Sequence, residues 1–289
     1  MSYENPTDPV RVGEVPHAVD PPTKRTAEVV GALLNRLWDA IAELDVSYEE
    51  FDAAKSWIIS VGEAGEWPLA LDVFVEHAVE RLAAAKSSSS QSSIQGPFYV
   101  PDAAKLAWND TVPMRDDEPG ERLVLRGRVR ATDGRPLPGA VVDHWQAGAD
   151  GWYSHFCPTG ADGTPLTPDG NLRGRFETNE DGAFEIHTVV PAPYKIPNDG
   201  PTGRLLEAAG WHPWRPAHTH CFVDAEGHDR LTTQLFFAGD KWLGTDVAGA
   251  DKPDLILEPV RSPSGELEAT YDFTLQPGSA KRQGHSATG

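Results

Sequence analysis

Residues 214–222 read WRPAHTHCF, an arginine and a proline followed by two histidines two positions apart. Pro216 restrains Arg215 to an extended conformation and fixes the start of a strand. Side chains alternate between faces along a strand, so His218 and His220 share one face while Cys221 points to the other. Such a pair is either two ordinary polar positions of a strand or half of a metal site. A zinc site would draw in a third histidine, with His212 near at hand, and a glutamate base. No HExxH pattern occurs in the chain, which leaves oxygen ligands. Two of the six tyrosines, Tyr153 in GWYSHF and Tyr194 in PAPYKIPNDGP, stand in irregular Gly/Pro-rich segments. Taken alone, each is more often a buried ring whose hydroxyl caps the backbone.

The surroundings of this stretch are punctuated as β structure. From about residue 121, Asp-Gly occurs six times, at Asp133, Asp150, Asp162, Asp169, Asp181 and Asp199. Each is a turn signal, because glycine takes positive φ freely and aspartate bonds to the backbone just ahead of it. Between the turns lie short alternating runs, such as Leu123, Leu125 and Val129 in LVLRGRV and Phe184, Ile186 and Thr188 in AFEIHTV. Many short strands with frequent turns predict a mainly β protein, an antiparallel sandwich or barrel. The connection CPTGADGTPLTPDGNLRG (157–174) is too rich in Gly and Pro for a strand, and a loop of that length is usually functional.

The first part of the chain has a helical period instead. Val30, Leu33, Leu34, Leu37, Ile41 and Leu44 line one helical face. Ser47 and Glu50 form a capping-box pattern ahead of Phe51, Ala54, Trp57, Ile58 and Val61. Pro68 suits the first turn of a third helix running through Leu71, Phe74, Val75 and Ala78. The apolar stripes of these helices need one another, a following domain or a second subunit. Lys86–Ser93, KSSSSQSS, reads equally as a flexible serine linker or as an ordered lead into Ile94.

Bulk properties set outer limits. With 289 residues, 39% of them hydrophobic, the chain is long enough for a globular fold of one large or two modest domains. A formal net charge of −19 disfavours nucleic acid and anionic membranes as partners. The polar N-terminal stretch has no signal-peptide character and no window has the length of a membrane span, so a cytoplasmic protein is expected. Two cysteines are too few for a disulfide framework or a thiolate cage.

Taken together, GPFYV (96–100), VVDHWQAGADGWYSHF (141–156), NLRGRF (171–176), PAPYKIPNDGPTG (191–203), HPWRPAHTH (212–220), TTQLFFAGDKW (232–242) and the helical GEWPLALDVFVEH (65–77) resemble the intradiol ring-cleaving dioxygenases, specifically their catechol 1,2-dioxygenase branch. The resemblance spans about residues 26–277. It implies a non-haem Fe(III) site with Tyr153, Tyr194, His218 and His220 as ligands, and a reaction that inserts both atoms of O2 into catechol to give cis,cis-muconate. Hard anionic oxygens suit a trivalent ion, and such an ion holds a phenol deprotonated despite its ordinary pKa near 10. Tyr194 is expected to take a substrate proton while Tyr153 stays bound. Arg215 is expected to stabilise negative charge on the attacked ring carbon, with Gln234 helping to position that region.

The same resemblance places Leu69, Asp72, Ile94, Gly96, Pro97, Phe98, Ile196, Pro197 and Ala248 around the substrate. Small Ala248 matches the catechol branch, and hydroxyquinol or a substituted catechol is the alternative substrate. The implied organisation is a helical N-terminal domain (1–95) with a dimerisation role, a β-sandwich catalytic domain (96–280) and a flexible tail (281–289). A homodimer through the N-terminal helices, with lipid between them, is also implied. Cys221, Trp152 and the long Phe156–Asn171 segment depart from the family pattern and bear on substrate range. Outside catalysis, the competing reading is a β-sandwich binding module whose histidines and tyrosines line a ligand groove.

Overall fold

The computed structural model describes residues 24–278, so the expected tail at 281–289 lies outside the described residues. Four helices come first: α1 (Lys24–Glu43), α2 (Tyr48–Glu63), α3 (Trp67–Phe74) and α4 (Glu76–Ala84); α5 (Pro201–Ala209) lies much later, between strands. Residue contacts divide the chain into two compact units after Ser60, within α2.

In the first unit the capping box forms as the sequence predicts. The Ser47 amide donates to Glu50 Oε2 at 2.8 Å and the Glu50 amide to Ser47 Oγ at 3.2 Å. The apolar stripe of α1 is exposed, with Leu33 at 66% and Leu37 at 54%.

In the second unit the third predicted helix is two helices. It breaks at Val75, whose φ of −126° leaves the helical range. The break turns Glu76 so that its carboxylate accepts from the amides of Gln95 at 2.9 Å and Gly96 at 3.5 Å. Leu69, Ala70 and Val73 of α3 are buried, whereas α4 buries no residue fully.

The strands follow. They are β1 (Lys105–Leu106), β2 (Asn109–Thr111), β3 (Arg122–Ala131), β4 (Val141–Gln146), β5 (Arg173–Glu177), β6 (Ala183–Val189) and β7 (Tyr194–Lys195). After α5 come β8 (Trp214–Arg215), β9 (His218–Asp224), β10 (Leu231–Phe237), β11 (Ile256–Leu257), β12 (Val260–Arg261), β13 (Leu267–Thr270) and β14 (Phe273–Leu275). One sheet has the order β1-β5-β4-β9-β10-β11; the other has β12-β13-β3-β6-β2, with β14 also on β3; β7 and β8 form a separate ribbon.

Both sheets are mixed, which corrects the purely antiparallel expectation. Their centres are antiparallel, but β1–β5, β10–β11, β13–β3, β14–β3 and β2–β6 pair in parallel. Parallel neighbours cannot be joined by a tight hairpin, so these short edge strands are reached through long connections such as residues 238–255. Alternation along a strand reports which residues are buried and is blind to the direction of the neighbour.

The two sheets share one apolar core, in which Val142, Phe176 and Leu235 of one meet Leu125, Phe184 and Ile186 of the other. Five of the six Asp-Gly steps have glycine at positive φ; the sixth differs, as Gly200 is extended and caps α5. The serine run is ordered. Ser90 exchanges bonds with Thr274 (2.8 and 2.7 Å), and Ser93 Oγ donates to Ala250 O at 3.0 Å. Among the described residues no helix is long and apolar enough to cross a membrane.

Candidate metal centre

Strand register builds the site. Across β5, β4, β9 and β10, Arg173, Trp145, His220 and Gln234 stand directly opposite one another. Residues so paired share a face, and this row lies on the face away from the inter-sheet core. One residue along, Cys221 turns the other way into that core. Hence β9 has no wet face: six of its seven residues are buried. The outer face is covered by a second apolar cluster that includes Leu69 and Val73 of α3, Trp145, Tyr153, Tyr194, Ile196 and Phe222. Trp145 lies flat on the His220 ring, 4.8 Å away and tilted by 10°.

Four donor side chains converge there. Nε2 of His218 and Nε2 of His220 are 3.1 Å apart, and Tyr153 Oη lies 3.4 and 3.0 Å from them. Tyr194 arrives on β7, opposite Arg215 on β8, with its ring 5.5 Å from that of Tyr153 and 5.5 Å from that of His218. His218 Nδ1 is 2.7 Å from Pro216 O. A carbonyl only accepts, so Nδ1 carries the proton and Nε2 presents its lone pair to the centre. His220 Nδ1 has no partner among the described residues.

All four side chains are buried, and their charges are held accordingly. Burial, and then the nearby Arg215 cation, push His218 down to about 3; burial likewise drives His220 well down. Both imidazoles are therefore neutral. Burial raises Tyr153 far above the ordinary phenol range and raises Tyr194 against the opposing pull of Arg215. Two neutral imidazole lone pairs aimed at one point, next to two phenols that ionise only beside added positive charge, fit a small, hard, highly charged cation. No group of three His, Cys, Asp or Glu side chains elsewhere among the described residues offers an alternative.

Arg215 is fixed on three sides. Its Nε and Nη2 donate to the two Asp246 carboxylate oxygens at 3.0 and 2.9 Å, Nη2 also donates to Gln234 Oε1 at 2.8 Å, and Gln234 Nε2 in turn donates to Ile94 O at 2.9 Å. Nη1 reaches His218 Nε2 at 3.0 Å. The guanidinium thus projects into the donor cluster with its own charge matched by a buried carboxylate. Burial alone would raise Asp246, but Arg215 overrides that and holds it below its usual range.

Eight of the nine expected pocket residues, Leu69, Asp72, Ile94, Gly96, Pro97, Phe98, Ile196 and Ala248, line one narrow recess that Tyr194 and Arg215 also line. Pro197 is outside it, in the adjoining open cleft of about 530 Å³ that Tyr153, Phe156 and Trp152 also line. Gly96 has φ of 69° and no side chain, and a Cβ there would stand 3.7 Å from the His220 ring. Burial, then the neighbouring Glu76 charge, raise the Asp72 carboxyl to about 6.

The family profile described as Dioxygenase matches residues 94–277, and that described as Catechol dioxygenase N terminus matches residues 23–91. The chain belongs to the intradiol ring-cleaving dioxygenases. It is therefore an oxidoreductase. It is similar to a chlorocatechol 1,2-dioxygenase of Rhodococcus opacus, with 42% identity over 87% of this chain and 96% of that one, and to catechol 1,2-dioxygenase 1 of Acinetobacter lwoffii, with 35% identity over 80% and 75%. Its structure superposes on the crystal structure of 3-chlorocatechol 1,2-dioxygenase from Rhodococcus opacus 1CP with a TM-score of 0.82 and 48% identity, covering 89% of this chain and 100% of that chain.

The residues of this dioxygenase that pattern reading passed over are Asp246, Arg173 and Trp145. Asp246 sits in GTDVAGADKPD among several acids, with nothing to single it out. Arg173 and Trp145 are visible only once the strand register is known.

Proposed function

We propose that this intradiol dioxygenase cleaves catechol to cis,cis-muconate with non-haem Fe(III) held by Tyr153, Tyr194, His218 and His220. The observation that carries this reading is the convergence of two imidazole nitrogens and a phenol oxygen within 3.0–3.4 Å of one another, with the second phenol beside them. Bound there, Fe(III) would serve as Lewis acid and template, drawing electron density of the diol into a form that reacts with O2.

The protein's own groups divide the remaining work. Tyr194 Oη takes one substrate proton, and on β7 it stands opposite Arg215. Arg215, which cannot release its proton, stabilises negative charge that develops on the attacked ring carbon. Gln234 and Asp246 hold it in position. The apolar walls of Leu69, Ile94, Pro97, Phe98, Ile196 and Ala248 exclude water and align the ring, while Gly96 leaves space over His220.

A second reading of the substrate, a chlorinated catechol, is favoured by the Rhodococcus opacus relative's name; hydroxyquinol is a third. We also assign residues 96–280 to the catalytic domain and 1–95 to a helical arm that forms a cytoplasmic homodimer, with lipid at the interface. The exposed stripe of α1 supports that arm.

The test is a visible spectrum of the purified protein, followed by oxygen uptake with catechol, 3- and 4-chlorocatechol and hydroxyquinol. A broad tyrosinate charge-transfer band and fastest uptake on catechol support the reading. Fastest uptake on a chlorocatechol moves the substrate while keeping the site. A protein that stays colourless after iron reconstitution overturns the iron site.

A further inference from the structure

We propose that Arg173 is the counter-charge of Tyr153, a positioning residue that fixes this phenol and sets its strength as an electron donor to the metal. The inference rests on the ligand set proposed above. Arg173 opens β5 and is 2% exposed. Its Nε donates to Ser154 Oγ at 2.7 Å and its Nη2 to Ser154 O at 3.0 Å, so it grips the residue next to Tyr153. Its Cζ lies 6.0 Å from the centre of the Tyr153 ring. Nη1 has no hydrogen-bond partner among the described residues.

What Arg173 lacks is a carboxylate. Arg215, the other buried arginine of the site, is matched by both oxygens of Asp246. Arg173 forms no ion pair among the described residues, and its bonded partners, a hydroxyl and a carbonyl, are neutral. A guanidinium taken out of water without an anion is costly. Of the groups near it that can carry negative charge, Tyr153 acts on it most strongly, ahead of Asp143 and Tyr99. A Tyr153 phenolate supplies that charge, and the cation in turn favours the phenolate. Tyr194 instead faces Arg215, the arginine that Asp246 already matches. A merely structural clamp would act through Ser154 alone and would not depend on charge.

The experiment compares iron-loaded wild type with Arg173→Met, Arg173→Lys and Ser154→Ala, reading iron content, the position of the visible band and oxygen uptake. Removing a positive charge beside the donor raises the energy of its electrons, so Arg173→Met is expected to shift the band to longer wavelength. Arg173→Lys keeps the cation and is expected to keep the band; Ser154→Ala, which loosens the clamp but not the charge, is expected to leave it in place. A coloured wild type with the Arg173→Met band unmoved overturns the counter-charge while leaving the ligand set intact, and so does an equal shift in Ser154→Ala. Should Arg173→Met fail to fold, Arg173→Lys decides, and a shift to longer wavelength there overturns the proposal. A colourless, iron-free wild type overturns the ligand set and this inference together.

Discussion

Tyr194 and Tyr99 show why a tyrosine must be judged by what its hydroxyl faces. Both rings are packed among aromatic neighbours, yet Tyr99 Oη donates to Asp143 Oδ2 at 3.0 Å, away from the imidazoles. Tyr194→Phe is expected to remove most of the visible band and the iron, measured by absorbance and metal analysis. Tyr99→Phe is expected to keep both and to cost about 1–2 kcal/mol of stability, since the Asp143 carboxylate loses a donor. Asp246 is a second decisive residue. Asp246→Asn leaves Arg215 buried without its charge partner, for which a loss of about 3–5 kcal/mol is expected. The same variant should lower kcat by about tenfold or more, because the guanidinium is no longer held against His218; thermal melting and steady-state oxygen uptake check the two parts. The shared face of His218 and His220 was legible in the sequence from their two-residue step on a strand, whereas Tyr153 and Tyr194 became candidates only through the family resemblance. Asp246 was not legible, since its role depends on a loop folding back over the site.

At the scale of elements, β9 is where sequence and site coincide. Its alternation sends His218, His220 and Phe222 to one side and Cys221 to the core, and Cys221 confirms that its small side chain packs between the sheets, away from the metal candidates. Strand direction at the sheet edges stayed hidden, because β1, β11, β12 and β14 are two or three residues long and carry no readable period. The helix break at Val75 was hidden too, being set by the distant amides of Gln95 and Gly96. Gly127, in the middle of β3, marks a close crossing with the backbone: an added Cβ would meet Tyr271 O and stand 2.7 Å from Phe184 Cζ. Tyr271 begins the step from β13 to β14, both of which pair with β3. Gly127→Ala is therefore expected to lose roughly 2–3 kcal/mol in chemical denaturation, with the visible band unchanged because the site lies on the other sheet.

On the scale of the whole molecule, two features extend beyond the site. The first is the apolar stripe of α1, which one chain leaves exposed at Leu33 and Leu37. If the stripe closes a homodimer, Leu33→Glu with Leu37→Glu is expected to give monomers in sedimentation velocity without loss of colour. An unchanged dimer would place the interface elsewhere.

The second is the load of buried neutral histidine. His144 is fully enclosed beneath the site strand, between Gln146 and Thr219, and burial pushes it down to about 4. Below pH 6.5 the unfolded chain takes up a proton there that the folded chain refuses, so protonation favours unfolding and stability falls with pH until about 4. Over the two pH units from 6.5 to 4.5 one such group removes roughly 2–3 kcal/mol. Asp72, raised to about 6, acts in the opposite sense between 3.8 and 6, but it is only partly buried and offsets less. The melting temperature of wild type should accordingly drop between pH 6.5 and 4.5. His144→Gln, whatever its effect at neutral pH, should flatten that slope, and an unchanged slope would assign the acid sensitivity to other groups.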